Sequence, residues 1–163
     1  MIPWKDRTEE IANLLNPAFC GEVIRRCISS YQNKKGGEIN IEYELIFLIL
    51  PIVLHNKTRS KINPRSRKQL HTWLQENQEV RIGFSNRVNQ LIPYTKEAMS
   101  FLLIHGAIQF DDSGRVYVPK YTPTKIDINT EIGSIYKSAE VLGRWFANGG
   151  TTTTIFTMWG VKP

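Results

Sequence analysis

Apolar residues recur at helical spacing through most of the chain. Ile11, Leu14 and Leu15 form a short stripe behind Thr8, whose hydroxyl can cap a helix, and Glu9 and Glu10 then face the positive end of its dipole. Asn16-Pro17 restarts the pattern, with Asn as cap and Pro at the first helical position, where no backbone N–H is missed. Cys20, Ile24, Cys27, Ile28 and Tyr31 follow along one face, while Glu22, Arg25, Arg26, Ser29 and Asn33 occupy the wet one. Lys34-Lys35-Gly36-Gly37 predicts the end of this helix and a joint after it.

Glu42 to Leu54 is apolar on every side, which predicts central burial. Pro51 and the β-branched Ile46, Ile49, Ile52 and Val53 leave a strand open, whereas length favours a helix. Asn63-Pro64 repeats the cap-and-proline start and predicts a helix burying Leu70, Trp73 and Leu74. Val80, Phe84, Val88, Leu91 and Ile92 mark another, which Pro93 should stop. Thr95 should cap the next, with Ala98, Met99, Leu102 and Leu103 inside and His105-Gly106 ending it at a left-handed glycine. Residues 107–111 and 115–118 alternate apolar and polar around Asp112-Ser113-Gly114, the pattern of a β-hairpin.

Tyr121 to Thr130 reads as a linker because Pro123 opposes regular structure. A last amphipathic helix follows from Glu131 to Ala147, closed by Asn148-Gly149-Gly150. Chain ends are usually polar and frayed, yet Ile155, Phe156, Met158 and Trp159 put four large apolar residues within five positions. That segment should dock on its own core or on another protein, where an aromatic anchor such as Trp159 would carry the binding.

A helix ended by glycine and followed at once by a hairpin is the order of a winged helix-turn-helix. The expected fold is therefore α+β and mainly helical: an N-terminal helical arm over 1–37, a winged-helix-like core with one hairpin wing over 42–120, and a linker, C-terminal helix and apolar tail over 121–163, forming one compact unit. The alternative is a small α+β domain whose hairpin merely covers a helix pair.

Charge sharpens the picture. The chain has 21 Lys and Arg against 15 Asp and Glu, and six of those cations, Lys57, Arg59, Lys61, Arg65, Arg67 and Lys68, fall within twelve acid-free positions. The remainder is balanced. Such a segment is either a solvated basic loop or a patch that neutralises the phosphates of DNA independently of base sequence. The helix from Thr95 to His105 would hold the recognition position of a winged domain, but it offers only Lys96, Glu97, Ser100 and His105, a thin set for reading base edges.

Catalytic chemistry is absent from the pattern. His55, His71 and His105 have no metal-ligand spacing, Cys20 and Cys27 share an apolar helical face, and no phosphate-binding loop, dinucleotide turn or nucleophile elbow occurs. Asp111-Asp112 belongs to the hairpin turn. The expectation is a non-enzyme with no cofactor and no metal. Two cysteines exclude a disulfide-rich secreted scaffold, the N-terminus has no signal-peptide pattern, and the longest apolar run is half the roughly 20 residues a spanning helix needs. A cytoplasmic protein without a membrane partner is expected.

Glu9-Glu10-Ile11-Ala12-Asn13-Leu14-Leu15-Asn16-Pro17-Ala18-Phe19-Cys20, the stretches Trp73–Glu76, Val80–Phe84 and Pro93–Ala98, and the ending Thr154-Ile155-Phe156 to Trp159–Pro163 resemble the middle component of bacterial three-component ABC systems, the Lamassu-type defence operons. The resemblance covers nearly the whole chain, and Asn16-Pro17-Ala18-Phe19 is its most specific piece. It implies a small non-catalytic subunit that bridges the heads of an SMC-like ABC ATPase to an effector, often a nuclease. Asn16, Pro17 and Phe19, with Ile155, Phe156, Met158 and Trp159, are then the candidate partner-binding residues. A stand-alone winged-helix regulator bound to a palindrome as a homodimer is the alternative.

Overall fold

Local signals set the ends of most elements in the computed structural model, which describes residues 2–163. A 3₁₀ turn at Trp4–Asp6 leads to α1 (Glu9–Leu14), where Thr8 Oγ1 accepts the Ile11 N–H. The Asn16 side chain accepts the N–H groups of Ala18 and Phe19 at 2.8 and 3.3 Å and so opens α2 (Pro17–Lys34). Gly36 and Gly37, both at positive φ, turn the chain out of α2. The apolar run from 42 to 54 is helical: a 3₁₀ segment, Tyr43–Leu48, continues into α3 (Ile49–Val53), with Pro51 inside the first turn. Next come α4 (Asn56–Arg59) and α5 (Leu70–Glu76), then a 3₁₀ turn at Gln78–Arg81 and α6 (Phe84–Ile104).

Strands β1 (Gln109–Phe110) and β2 (Val116–Tyr117) form the hairpin, with Gln109 opposite Tyr117 and Phe110 opposite Val116. Asp111 organises its turn by accepting the N–H groups of Ser113 and Arg115. Ile41 adds an isolated antiparallel bridge to Val116. The chain closes with α7 (Glu131–Asn148) and α8 (Thr152–Trp159). The architecture is mainly helical with one small two-stranded antiparallel sheet.

The central element is α2, which packs against both α7 and α6. A Cβ at Gly143 would lie 2.2 Å from the Cys27 carbonyl oxygen, so α7 touches α2 backbone to backbone. On the opposite contact Gly21 admits Leu102 of α6, whose Cδ2 would be 3.1 Å from an added Cβ. One apolar cluster draws on all three stretches of the chain, including Ile24 and Ile28, Leu48 and Leu50, and Leu142 and Phe146. No helix among the described residues is long and apolar enough to cross a membrane.

Three expectations are corrected. Pro93 does not stop a helix: α6 runs through it. Proline removes one N–H, leaving the carbonyl of Asn89 without its helical donor, and Asn89 is exposed to water. Burial of Ala98, Met99 and Leu102 on the same helix offsets the loss, and Thr95, expected as a cap, is a buried helical residue. Asn63-Pro64 does not start a helix either. Asn63 Oδ1 accepts the Arg65 N–H at 2.9 Å and its carbonyl accepts the Ser66 N–H, closing a turn, and the helix waits until Leu70. The third correction is the C-terminal segment. Thr151 Oγ1 accepts the Thr154 N–H at 3.2 Å and starts α8, which places Ile155, Phe156 and Trp159 on one buried face. The Trp159 ring lies 4.5 Å from Phe84 and 6.1 Å from Trp73, which in turn lies 4.8 Å from Trp145. These side chains belong to the chain's own core and present no free anchor to a neighbour.

Candidate functional site

The six cations of the 57–68 segment have unequal fates. Arg59 is 6% exposed. Its Nη1 donates to the carbonyls of Val53 and Leu54 at 2.8 and 3.4 Å, and Nη2 reaches Asn56 Oδ1 and Glu131 at 3.2 and 3.3 Å. The guanidinium thus caps the C-terminus of α3 and ties it to α7, where carbonyl dipoles favour a cation. Lys61 pairs with Glu79 and Lys68 with Glu76. Two indoles pin the loop backbone between them: Trp73 donates to the Lys61 carbonyl at 2.9 Å and Trp145 to the Lys68 carbonyl at 2.8 Å. Only Lys57, Arg65 and Arg67 remain exposed without a carboxylate among the described residues. Three of the six, Arg59, Lys61 and Lys68, are thus paired within the fold, Arg59 in the interior and the two lysines at the surface. His55, hydrogen-bonded through Nδ1 to Thr58 Oγ1, is held below the ordinary imidazole pKa by burial and by Arg87, Lys57 and Arg59.

The candidate partner residues are likewise engaged. Asn16 and Pro17 shape the start of α2, and the Phe19 ring lies 5.9 Å from Tyr136 of α7. Ile155, Phe156 and Trp159 are buried, and Met158 is half-buried against the same cluster. Both cysteines are buried and free; burial pushes Cys20 up to about 12 and raises Cys27 further, so neither is a ready nucleophile. His105 donates Nδ1–H to the Phe101 carbonyl at 2.8 Å and acts as a local end group of α6. Among the described residues no three His, Cys, Asp or Glu side chains converge as metal ligands.

Two features escaped the sequence pattern. The first is a strap formed by the N-terminus. Arg7 is buried between the Trp4 and Tyr94 rings, at 5.0 and 5.2 Å, and makes a two-pronged pair with Glu97 at 3.0 and 3.1 Å. Glu97 is thereby removed from the exposed face of α6. That face ends in Leu103 and Ile104, 40% and 81% exposed; Phe110 of β1 is 44% exposed.

The second is a cleft built on α2, α7 and the linker. Arg26, 4% exposed, donates to Glu22 at 2.7 Å, to Glu140 at 3.1 Å and to the Thr124 carbonyl at 2.8 Å, holding the linker across the two helices. Tyr121 donates its phenolic proton to Glu22, and Arg25 lies 3.9 Å over the Tyr121 ring. Burial, the Glu22 hydrogen bond and the Glu22 charge all keep that phenol protonated well above its ordinary range. A cavity of about 530 Å³ opens on one side of Tyr121, edged by Lys34, Lys137 and Arg144; another of about 570 Å³ opens on the other side, edged by Arg25 and Lys120. Nothing in the linear pattern marks this place beyond the wet face that carries Arg25, Arg26, Ser29 and Asn33.

No curated protein and no solved structure matches the chain. A family model does: ABC-three component (ABC-3C) system Middle Component 3, over residues 4–163.

Proposed function

The chain belongs to the ABC-three component system Middle Component 3 family, and from that premise we propose that it is a non-catalytic subunit of a bacterial antiviral defence complex of the Lamassu type. In this reading it joins an SMC-like ABC ATPase to an effector subunit, a nuclease, in the cytoplasm, and adds contacts to DNA that ignore base sequence. The observation that carries the reading is the family match, which runs from the N-terminal strap through α8.

The surface supports a docking module over a base-reading regulator. In the winged arrangement we infer, α2, the helical stretch 43–53 and α6 form the helical part, and the hairpin with its Ile41 bridge supplies the wing. The recognition position then falls on α6. Its exposed end displays Ile104 and Leu103 where a reader of base edges would display Arg, Asn or Gln. Exposed apolar side chains at this end of α6 suit a protein partner. Contacts to DNA fall to exposed cations that the fold leaves without a carboxylate partner among the described residues.

Co-expression with the ATPase and effector subunits of such a system tests the proposal. A complex that survives size exclusion is expected. Ile104→Glu should leave the melting temperature of the isolated chain unchanged, since the side chain is 81% exposed, and should cost at least tenfold in affinity for the complex. An independent homodimer bound to a defined palindrome, with no complex formed, would replace this reading with the regulator.

A further inference from the structure

We propose that the cleft divided by Tyr121 is a phosphate-binding track that holds the backbone of a nucleic-acid strand; the choice of ligand rests on the DNA-contacting role inferred above. Its two lobes share a wall made by Arg26 and Tyr121, so together they form one path along the α2–α7 seam. Six cations and two carboxylates line that path. The carboxylates are already satisfied: Glu22 and Glu140 both bind Arg26, and Glu140 also pairs with Lys137 at 2.8 Å. The remaining four cations, Arg25, Lys34, Lys120 and Arg144, have no carboxylate within 4.0 Å among the described residues.

Arg25 adds an independent sign, because its Nε is buried with no hydrogen-bond partner among the described residues. A buried donor of this kind is costly to leave unmade, so the Arg25 side chain would gain by turning toward an anion placed between the lobes. Arg26 and Tyr121 fix the linker to the helices through part-buried bonds, which sets the backbone positions from which the four cations project. A lone phosphate in either lobe would meet two of the free cations, whereas a chain crossing Tyr121 would meet all four. Spacing over two lobes therefore favours a polyanion over a small phosphate ester. Contacts that neutralise phosphates carry no base information, so binding through these four cations is expected to be indifferent to sequence.

The test uses the full chain and a fluorescent 20-nucleotide single strand or duplex of arbitrary sequence, with pyrophosphate as a second probe. Lys34→Glu/Lys120→Glu/Arg144→Glu, three side chains with no hydrogen bond among the described residues, should lower affinity at least tenfold with circular dichroism unchanged. Lys34→Gln/Arg144→Gln, a gentler pair, should lower it about threefold. Lys57→Glu/Arg65→Glu/Arg67→Glu, which reverses the free cations of the other basic region, should change it less than threefold. Equal binding by wild type and the triple cleft variant would overturn the proposal. So would saturable pyrophosphate binding without oligonucleotide binding, which would assign the cleft to a free phosphate. Failure to assemble with the ATPase, with the cleft result intact, would remove the complex and leave the track.

Discussion

Residues 57–68 hold six cations in twelve consecutive positions, whereas the cleft beside Tyr121 collects its free cations from positions 25, 34, 120 and 144. In the first region the fold supplies partners: Glu131 for Arg59, Glu79 for Lys61 and Glu76 for Lys68, all outside the segment. In the second the fold removes the competing acids instead, since Arg26 and Lys137 occupy Glu22 and Glu140. Density of charge along a chain and density of available charge in space are different quantities. The first is a property of a window, and the second depends on where every carboxylate is already engaged.

The largest expected effect comes from breaking the hub of the cleft. Arg26→Met takes one donor from each of two partly buried carboxylates, which keep only Tyr121 and Lys137, and removes the donor to the Thr124 carbonyl; it should cost about 3–5 kcal/mol of unfolding free energy in urea melts. Arg144→Met, on the same wall but unpaired, should stay within about 0.5 kcal/mol. A small loss for Arg26→Met would mean that the linker is held by something else. The corresponding contrast in the other region is gentler. Arg59→Ala should cost about 2–3 kcal/mol because its guanidinium satisfies carbonyls at the end of α3. Lys57→Ala, two residues away and exposed, should be neutral within about 0.5 kcal/mol. Equal effects would show that Arg59 is a surface charge after all.

The smallest effect is a pH dependence in the same region. The folded-state pKa of His55 lies below its unfolded value near 6.5. The unfolded chain therefore binds the proton first, and this contribution to stability is present above about pH 6.5 and is lost as pH falls toward the folded value. Melting temperature should drop between pH 7.5 and 5.5, and His55→Gln should flatten that drop. An unchanged profile in His55→Gln would assign the dependence to other groups.

Much of the fold was legible where the signal is local. Asn16 and Thr8 cap helices in the structure because a side-chain oxygen needs only the next turn of backbone. Gly106 takes φ +62° directly after α6, and Asp111 turns the hairpin with its own carboxylate. Pro93 misled because its cost is one hydrogen bond, while the burial that outweighs it lies on elements far along the chain. The terminal apolar cluster was legible as something that must dock, but its own core and a partner offer the same chemistry. Only the topology brings Trp159 to Phe84 and Trp73. The candidate DNA segment was visible as charge, and the pairing of Arg59, Lys61 and Lys68 within it was not, because Glu131, Glu79 and Glu76 reach it only after folding. The cleft left even less trace: two adjacent arginines on a helix face become a track only when α7 and the linker arrive.

The most direct measurement of where the molecule holds nucleic acid is the slope of log K against log salt for a duplex, taken on wild type and on the two charge-reversal variants. Four phosphates met in the cleft give a slope of roughly −3 to −4. The account predicts that this slope persists in Lys57→Glu/Arg65→Glu/Arg67→Glu and flattens to about −1 in Lys34→Glu/Lys120→Glu/Arg144→Glu. A slope kept by the cleft variant and lost by the loop variant would contradict it.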